Sequence, residues 1–165
     1  ECISDMVLDL ETRDIQLLYQ CYVDEDTRIV LDTDKIKRVI SNIVGNAVKY
    51  IDRSQGMILI RITDERDWIT VMIRDNGKGI AKEELPYIFD RFYRTDSSRN
   101  SRTGGSGLGL AIAKKIVDEH DGEIWAESEL DHGTAIYFTI PIYHSQERNS
   151  RQNGGYDEEN IDRGR

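Results

Sequence analysis

Apolar residues return along this chain at two spacings, and the switches between them outline its elements. Ile3, Met6, Val7 and Leu10 form a helical stripe over residues 2–11, and residues 15–23 (IQLLYQCYV) read as a strand. A charged turn at 24–28 leads to a short apolar run, 29–31, so the chain is predicted to open with a hairpin. Residues 34–51 carry Ile36, Val39, Ile40, Ile43, Val44, Ala47, Val48 and Ile51 on one broad face, the pattern of a long amphipathic helix. Period-two alternation follows in 57–63 and 68–74, which predicts an antiparallel hairpin across the turn 64–67. Residues 83–90 read as a short helix. Leu108, Ile112 and Ile116, with Ala113 and Val117 beside them, predict another. Residues 123–128 and 134–141 are a last strand pair across 129–133. From Tyr143 the chain has almost no apolar content, which predicts a domain over 1–142 and a disordered tail over 143–165.

Composition narrows the partners. A chain of 165 residues suits one domain with its own core. No segment reaches the roughly 20 apolar residues that span a membrane. A net charge of −9 disfavours nucleic acid, so a polyphosphate ligand would need a few placed cations and a metal ion. Cys2 and Cys21 have no metal-ligand or CxxC spacing and read as free thiols in a reducing compartment. His120, His132 and His144 are scattered and read as structural or solvent-facing.

The chemistry gathers around residues 103–115, TGGSGLGLAIAKK, where Gly104, Gly105, Gly107 and Gly109 open a helix. Such a loop aims free N–H groups and the positive end of the helix dipole at one point, as an anion requires. The segment is neither the GxGxxG dinucleotide fingerprint nor the GxxxxGK[ST] triphosphate loop. On the long helix, Arg38, Asn42, Asn46 and Lys49 line up on one flank, two amides and a cation suited to a hard metal ion and a phosphate. Asp75 falls on the same strand face as Ile69, Val71 and Ile73, and a carboxylate aimed into an apolar layer must find a hydrogen-bond partner. It begins DNGKGI, whose two glycines permit close approach. Thr134 points inward with Ile136, Phe138 and Ile140. Between these motifs, residues 93–106 have few apolar anchors and, with Arg91, Arg94, Arg99 and Arg102, predict a mobile, locally basic lid.

Read together, NIVGNAVKY (42–50), DNGKGI (75–80), FDRF (89–92) and GSGLGL (105–110), with Gly133-Thr134 as a shorter fifth element, resemble the ATP-binding catalytic domain of two-component sensor histidine kinases. That family is a branch of the Bergerat-fold ATPases. The resemblance covers about 34–141 and implies a two-layer α/β sandwich, a mixed, mainly antiparallel sheet with about three helices on one face. It implies ATP and Mg²⁺ as ligands. Asn46 would coordinate the metal, Asn42 would assist it, Lys49 would contact a phosphate, and Tyr50 would lie beside the nucleotide. Asp75 would accept from the adenine 6-amino group, with Gly77, Gly79, Ile80 and Thr134 shaping the base pocket. Gly105, Gly107, Leu108, Gly109 and Leu110 would cradle the phosphates, and Arg94 would reach the γ-phosphate.

Hydrolysing members of the superfamily carry a glutamate where this chain has Asn42, which is no general base, so the resemblance favours transfer to a protein. Catalysis would then rest on Asn42, Lys49, Arg94 and Mg²⁺ as positioning and charge-neutralising groups. None of the three histidines has the phosphoacceptor setting of the family. The expected partners are therefore a separate histidine-bearing dimerisation domain and a downstream response regulator, with the isolated domain a monomer and nucleic acid excluded. The expected location is the cytoplasmic portion of a membrane-anchored bacterial sensor. A protein-serine kinase of the anti-sigma-factor type and a non-catalytic adenine-nucleotide sensor are the alternative readings.

Overall fold

The computed structural model describes residues 10–52, 54–94 and 106–143. In chain order these form β1 (Ile15–Tyr22), α1 (Thr33–Tyr50), β2 (Gly56–Glu65), β3 (Trp68–Asp75), a single 3-10 turn (Leu85–Tyr87), α2 (Gly109–Asp118), β4 (Ile124–Glu129) and β5 (Gly133–Pro141). Residues 10–12 are also helical. The strands make one sheet in the order β1-β2-β3-β5-β4, parallel between β1 and β2 and antiparallel elsewhere.

Alternation decides which sheet face is covered. Ile58 and Ile60 of β2, Ile69, Val71 and Ile73 of β3, and Ile136, Phe138 and Ile140 of β5 are buried against Val39, Ile43 and Val44 of α1 and Ala113, Ile116 and Val117 of α2. The other face carries Arg61, Arg74 and a stacked Trp125–Tyr137 pair, with ring centroids 5.2 Å apart. Helix α1 starts where Asp32 Oδ1 accepts the N–H groups of Asp34 and Lys35. The two helices are tied at one end. His120 receives the Asp32 N–H on Nε2 at 3.0 Å and holds Ile116 O with Nδ1 at 2.8 Å, and Lys35 pairs with Glu119 at 2.8 Å. The structural role expected of His120 is thereby met.

Two expectations are corrected. The opening hairpin does not form: β1 runs parallel to β2, the arrangement that requires a crossover connection, and α1 supplies it. The run 29–31 is reduced to one bridge, Ile29 with Ile142. Residues 83–90 do not make an α-helix but turns around Leu85–Tyr87, because Pro86 has no N–H to continue one. The helical stripe of residues 2–9, the lid segment 95–105 with Gly105, Arg99 and Arg102, and residues 144–165 with His144 lie outside the described residues.

Phe138 of β5 is the largest side chain without exposure among the described residues. Phe138→Ala should destabilise the domain by about 3–5 kcal/mol, read as a shift of the urea midpoint at unchanged slope.

Candidate functional site

One cavity of about 320 Å³ opens between α1, the start of α2, the ends of β3 and β5, and the segment after β3. Its size suits a small organic ligand. Helix α1 contributes two adjacent rows of residues, Asn42 and Asn46 in one and Ser41, Gly45 and Lys49 in the other, followed by Tyr50. The expected flank is therefore present except for Arg38, which is exposed and stands away from the cavity. Lys49 Nζ sits 5.1 Å from the centroid of the Tyr50 ring. Asp75, Gly79, Ile80, Arg94, Gly107, Gly109, Leu110 and Thr134 all line the same cavity.

Gly77 and Leu108 stand just behind the wall. The Gly77 N–H holds Asp75 Oδ1 at 2.8 Å, and a Cβ there would lie 2.6 Å from Tyr50 O. Leu108 is the residue before α2, and among the described residues no side chain caps that helix start. The first turn of α2, whose Gly109 and Leu110 line the cavity, therefore has no capping side chain among the described residues to accept its N–H groups.

Asp75 is 9% exposed, the buried carboxylate that strand alternation predicted. Oδ1 receives two backbone N–H groups, from Gly77 at 2.8 Å and Thr134 at 3.3 Å. These bonds favour the charged form, yet burial outweighs them and holds the carboxyl above the usual carboxylate range. Gly79, at φ +69°, lets the segment after β3 pass against the β4–β5 turn: a Cβ there would lie 2.0 Å from Glu129 O. Gly107, at φ +70°, does the same against the backbone of Phe92 and Tyr93 at the cavity mouth.

The opposite end of the cavity is polar in another way. Asn42 Nδ2 is buried and, among the described residues, has no hydrogen-bond partner. Its side chain abuts the start of α2, where a Cβ on Gly109 would lie 3.7 Å from Asn42 Oδ1. A buried amide donor beside a helix N-terminus is chemically suited to an anionic oxygen. No group of three or more His, Cys, Asp or Glu side chains gathers among the described residues. Of the groups present, the amide oxygens of Asn42 and Asn46 are of the kind that would suit a Mg²⁺ ion keeping phosphate and water as most of its ligands, whereas the lysine would suit the phosphate itself.

Sequence reasoning missed several residues here. Ile73, Ile88 and Ile136 wall the cavity but carry only the signal of core residues. Lys78 and Tyr93 also line it. Ser128 stands behind Thr134, and its Oγ accepts the Ile80 N–H at 2.8 Å, lies 2.8 Å from Gly133 O and 2.9 Å from Thr134 Oγ1. The signal for it was present: alternation from Ile124 and Ala126 aims Ser128 inward, opposite Thr134 in the strand register.

A helix-covered mixed sheet with a buried acceptor at one end of the cavity and open donors at the other defines an ATP-binding α/β-sandwich domain. The chain belongs to the family of histidine kinase-, DNA gyrase B- and HSP90-like ATPases, whose model matches residues 31–144. It is 42% identical over 125 residues to the sensor histidine kinase WalK of Bacillus subtilis, covering 75% of this chain and 20% of that protein. The chain thus spans about a fifth of that relative's length. The catalytic domain of the histidine kinase ThkA, nucleotide free, superposes with a TM-score of 0.71 at 30% identity, covering 85% of this chain and 88% of that one. ThkA in complex with the response regulator protein TrrA matches with a TM-score of 0.66 at 29% identity, covering 85% of this chain and 38% of that chain. By family, this is a histidine-kinase-type ATP-binding domain, and among its described residues no helix is long and apolar enough to cross a membrane.

Burial of an ionised Asp75 destabilises the ligand-free domain where the group is charged in both folded and unfolded chains. The raised folded pKa means that this penalty is absent below the unfolded value and is felt in full above the folded one. Asp75→Asn should therefore raise the Tm of the ligand-free domain at pH 8, and its advantage over the parent should shrink as pH falls through the raised pKa. Thermal scans of both proteins between pH 5 and pH 8 check this, and a variant less stable at pH 8 would contradict it.

Proposed function

We propose that this chain is the catalytic portion of a sensor histidine kinase, binding Mg²⁺-ATP in the cavity and supporting transfer of its γ-phosphoryl group to a histidine on a separate dimerisation domain. The observation that carries the reading is the unpartnered Asn42 amide nitrogen, buried beside the uncapped start of α2. Asp75, on the far wall, keeps Oδ1 on backbone N–H groups and has Oδ2 left to accept from an adenine 6-amino group. Gly79, Ile80, Ile73 and Ile136 give that base apolar and backbone walls, and Tyr50 flanks it. Asn42 donates to a phosphate oxygen, and Lys49, Lys78 and Arg94 bring positive charge to the same cavity. Asn46 offers an amide oxygen to Mg²⁺, which when bound neutralises charge on the phosphates.

In the transfer, a lone pair on an imidazole nitrogen of the acceptor forms the new N–P bond as the bridging β–γ P–O bond breaks. The electron pair leaves on ADP. No carboxylate stands at position 42 to draw a proton from water, which supports transfer over steady hydrolysis. The acceptor domain lies outside this chain. That it and a response regulator are partners is supported by the relatives' names and by the short span of those relatives that this chain covers. On this reading the domain sits in the cytoplasmic part of a membrane-anchored sensor.

The direct test mixes this domain, Mg²⁺-ATP and the purified upstream histidine domain and looks for phosphate that is acid-labile on the acceptor. Acid-stable phosphate would indicate a serine kinase, and nucleotide binding with no transfer would indicate a sensor. Asp75→Asn should weaken ATP binding by about 1–3 kcal/mol, because a donor then faces the 6-amino group. Asn46→Ala should remove much of the Mg²⁺ enhancement of ATP binding, whereas Asn42→Ala should weaken ATP about equally with Mg²⁺ and with chelator. Calorimetric titrations in both conditions separate the two roles, and an unchanged Mg²⁺ enhancement in Asn46→Ala would move the metal ligand elsewhere.

A further inference from the structure

We infer that Ser128 is a positioning residue for base specificity, fixing the Thr134 hydroxyl as an acceptor so that the cavity favours a 6-amino purine over a 6-oxo purine. The inference rests on the ATP reading above and follows from counting hydrogens. Gly133 O, 2.8 Å from Ser128 Oγ, can only accept, so it takes the Ser128 hydrogen. The Ile80 N–H, at 2.8 Å, can only donate and occupies one Ser128 lone pair. Thr134 Oγ1, at 2.9 Å, must then donate its own hydrogen to Ser128. Thr134 is left with lone pairs alone to offer a ligand. Asp75, whose Oδ1 already receives the Gly77 and Thr134 N–H groups, likewise offers a lone pair.

Both polar groups at this end of the cavity are therefore acceptors, although a free threonine hydroxyl could serve as either. A purine with an oxygen at position 6 meets lone pairs with lone pairs. Without Ser128 the Thr134 hydroxyl is free to rotate and donate to that oxygen. The same serine, itself in β4, joins the stretch after β3 through Ile80 to the start of β5 through Gly133 and Thr134. A purely structural loss would weaken all nucleotides together, and a loss of orientation changes their ratio.

ITP differs from ATP in the base only at positions 1 and 6, so the ratio of ATP to ITP affinity reads the effect directly. Calorimetric titrations with Mg²⁺ on the parent should show a clear preference for ATP. In Ser128→Ala that preference should fall about tenfold, the value of one hydrogen bond made or opposed. Ser128→Thr, which keeps the hydroxyl at a strand position where β-branched residues are favoured, should retain it. In a Thr134→Val background the ratio should no longer respond to Ser128→Ala. If Ser128→Ala does not fold, Ser128→Cys, a poorer donor and acceptor of similar size, should lower the ratio in the same direction. ATP and ITP weakened equally in a folded Ser128 variant would overturn the inference while leaving the ATP site standing. A parent that binds neither nucleotide would remove both.

Discussion

A carboxylate held in an apolar layer is the constraint around which the other parts of this domain are arranged. Asp75 ends β3 on the side that carries Ile69, Val71 and Ile73, so the alternation that builds the core also drives the charge into it. Leaving that group unsatisfied would cost several kcal/mol, and two backbone N–H groups from different parts of the chain answer it. The segment after β3 must therefore turn back at Gly77, and β5 must begin beside β3 at Thr134. Asn76 anchors the same turn to β2, donating its backbone N–H to Met57 O at 3.2 Å and accepting the Met57 N–H on Oδ1 at 2.8 Å. The remaining cost is visible in the raised carboxyl pKa, which burial keeps above the ordinary range despite both bonds. Folding alone leaves that cost uncancelled, and a ligand donor relieves it.

What the sequence made legible follows from how local each signal is. The long helix α1 and the pairs β2–β3 and β4–β5 connect neighbours through short turns, so periodicity and turn residues sufficed. The partner of β1 was not legible. Its alternation predicts a strand, but the nearest apolar run, 29–31, looked like its mate, whereas the register pairs Ile15 with Gly56 across α1. Pro86 was the local sign against a helix at 83–90. In the site, the residues found first were those chemically out of place: Asp75 and Thr134 facing the core, and Asn42 and Asn46 one turn apart on a helix. Ile73, Ile88 and Ile136 could not be found that way, because a wall of a base pocket and a core residue carry the same side chain.

Electrostatics explains how an acidic chain can host a polyphosphate. The net charge is −9, yet Lys49, Lys78 and Arg94 line one cavity and the first turn of α2 contains no acidic residue. At about 0.15 M salt the screening length is about 8 Å, so distant carboxylates contribute little there and these few groups set the local potential. Asn42 belongs to the same economy. With the phosphates where the proposed function puts them, a glutamate at that position would add a negative charge beside them. The amide presents a neutral donor instead.

The two ends of the cavity therefore differ in when their hydrogen bonds are made. At the Asp75 end, Gly77, Thr134, Ser128, Ile80 and Gly133 satisfy one another before any ligand arrives, and what remains open is a fixed set of lone pairs. At the Asn42 end, a buried donor and the helix start wait for an acceptor that no capping side chain provides. A site saturated in advance cannot rearrange to suit a wrong base, so the proposed function puts discrimination there. Donors such as these gain most from a charged oxygen, so the same proposal puts affinity for the phosphates at the other end. A nucleotide joins the two because its base and its phosphates are covalently linked, and only a ligand with donors at one end and negative oxygens at the other satisfies both.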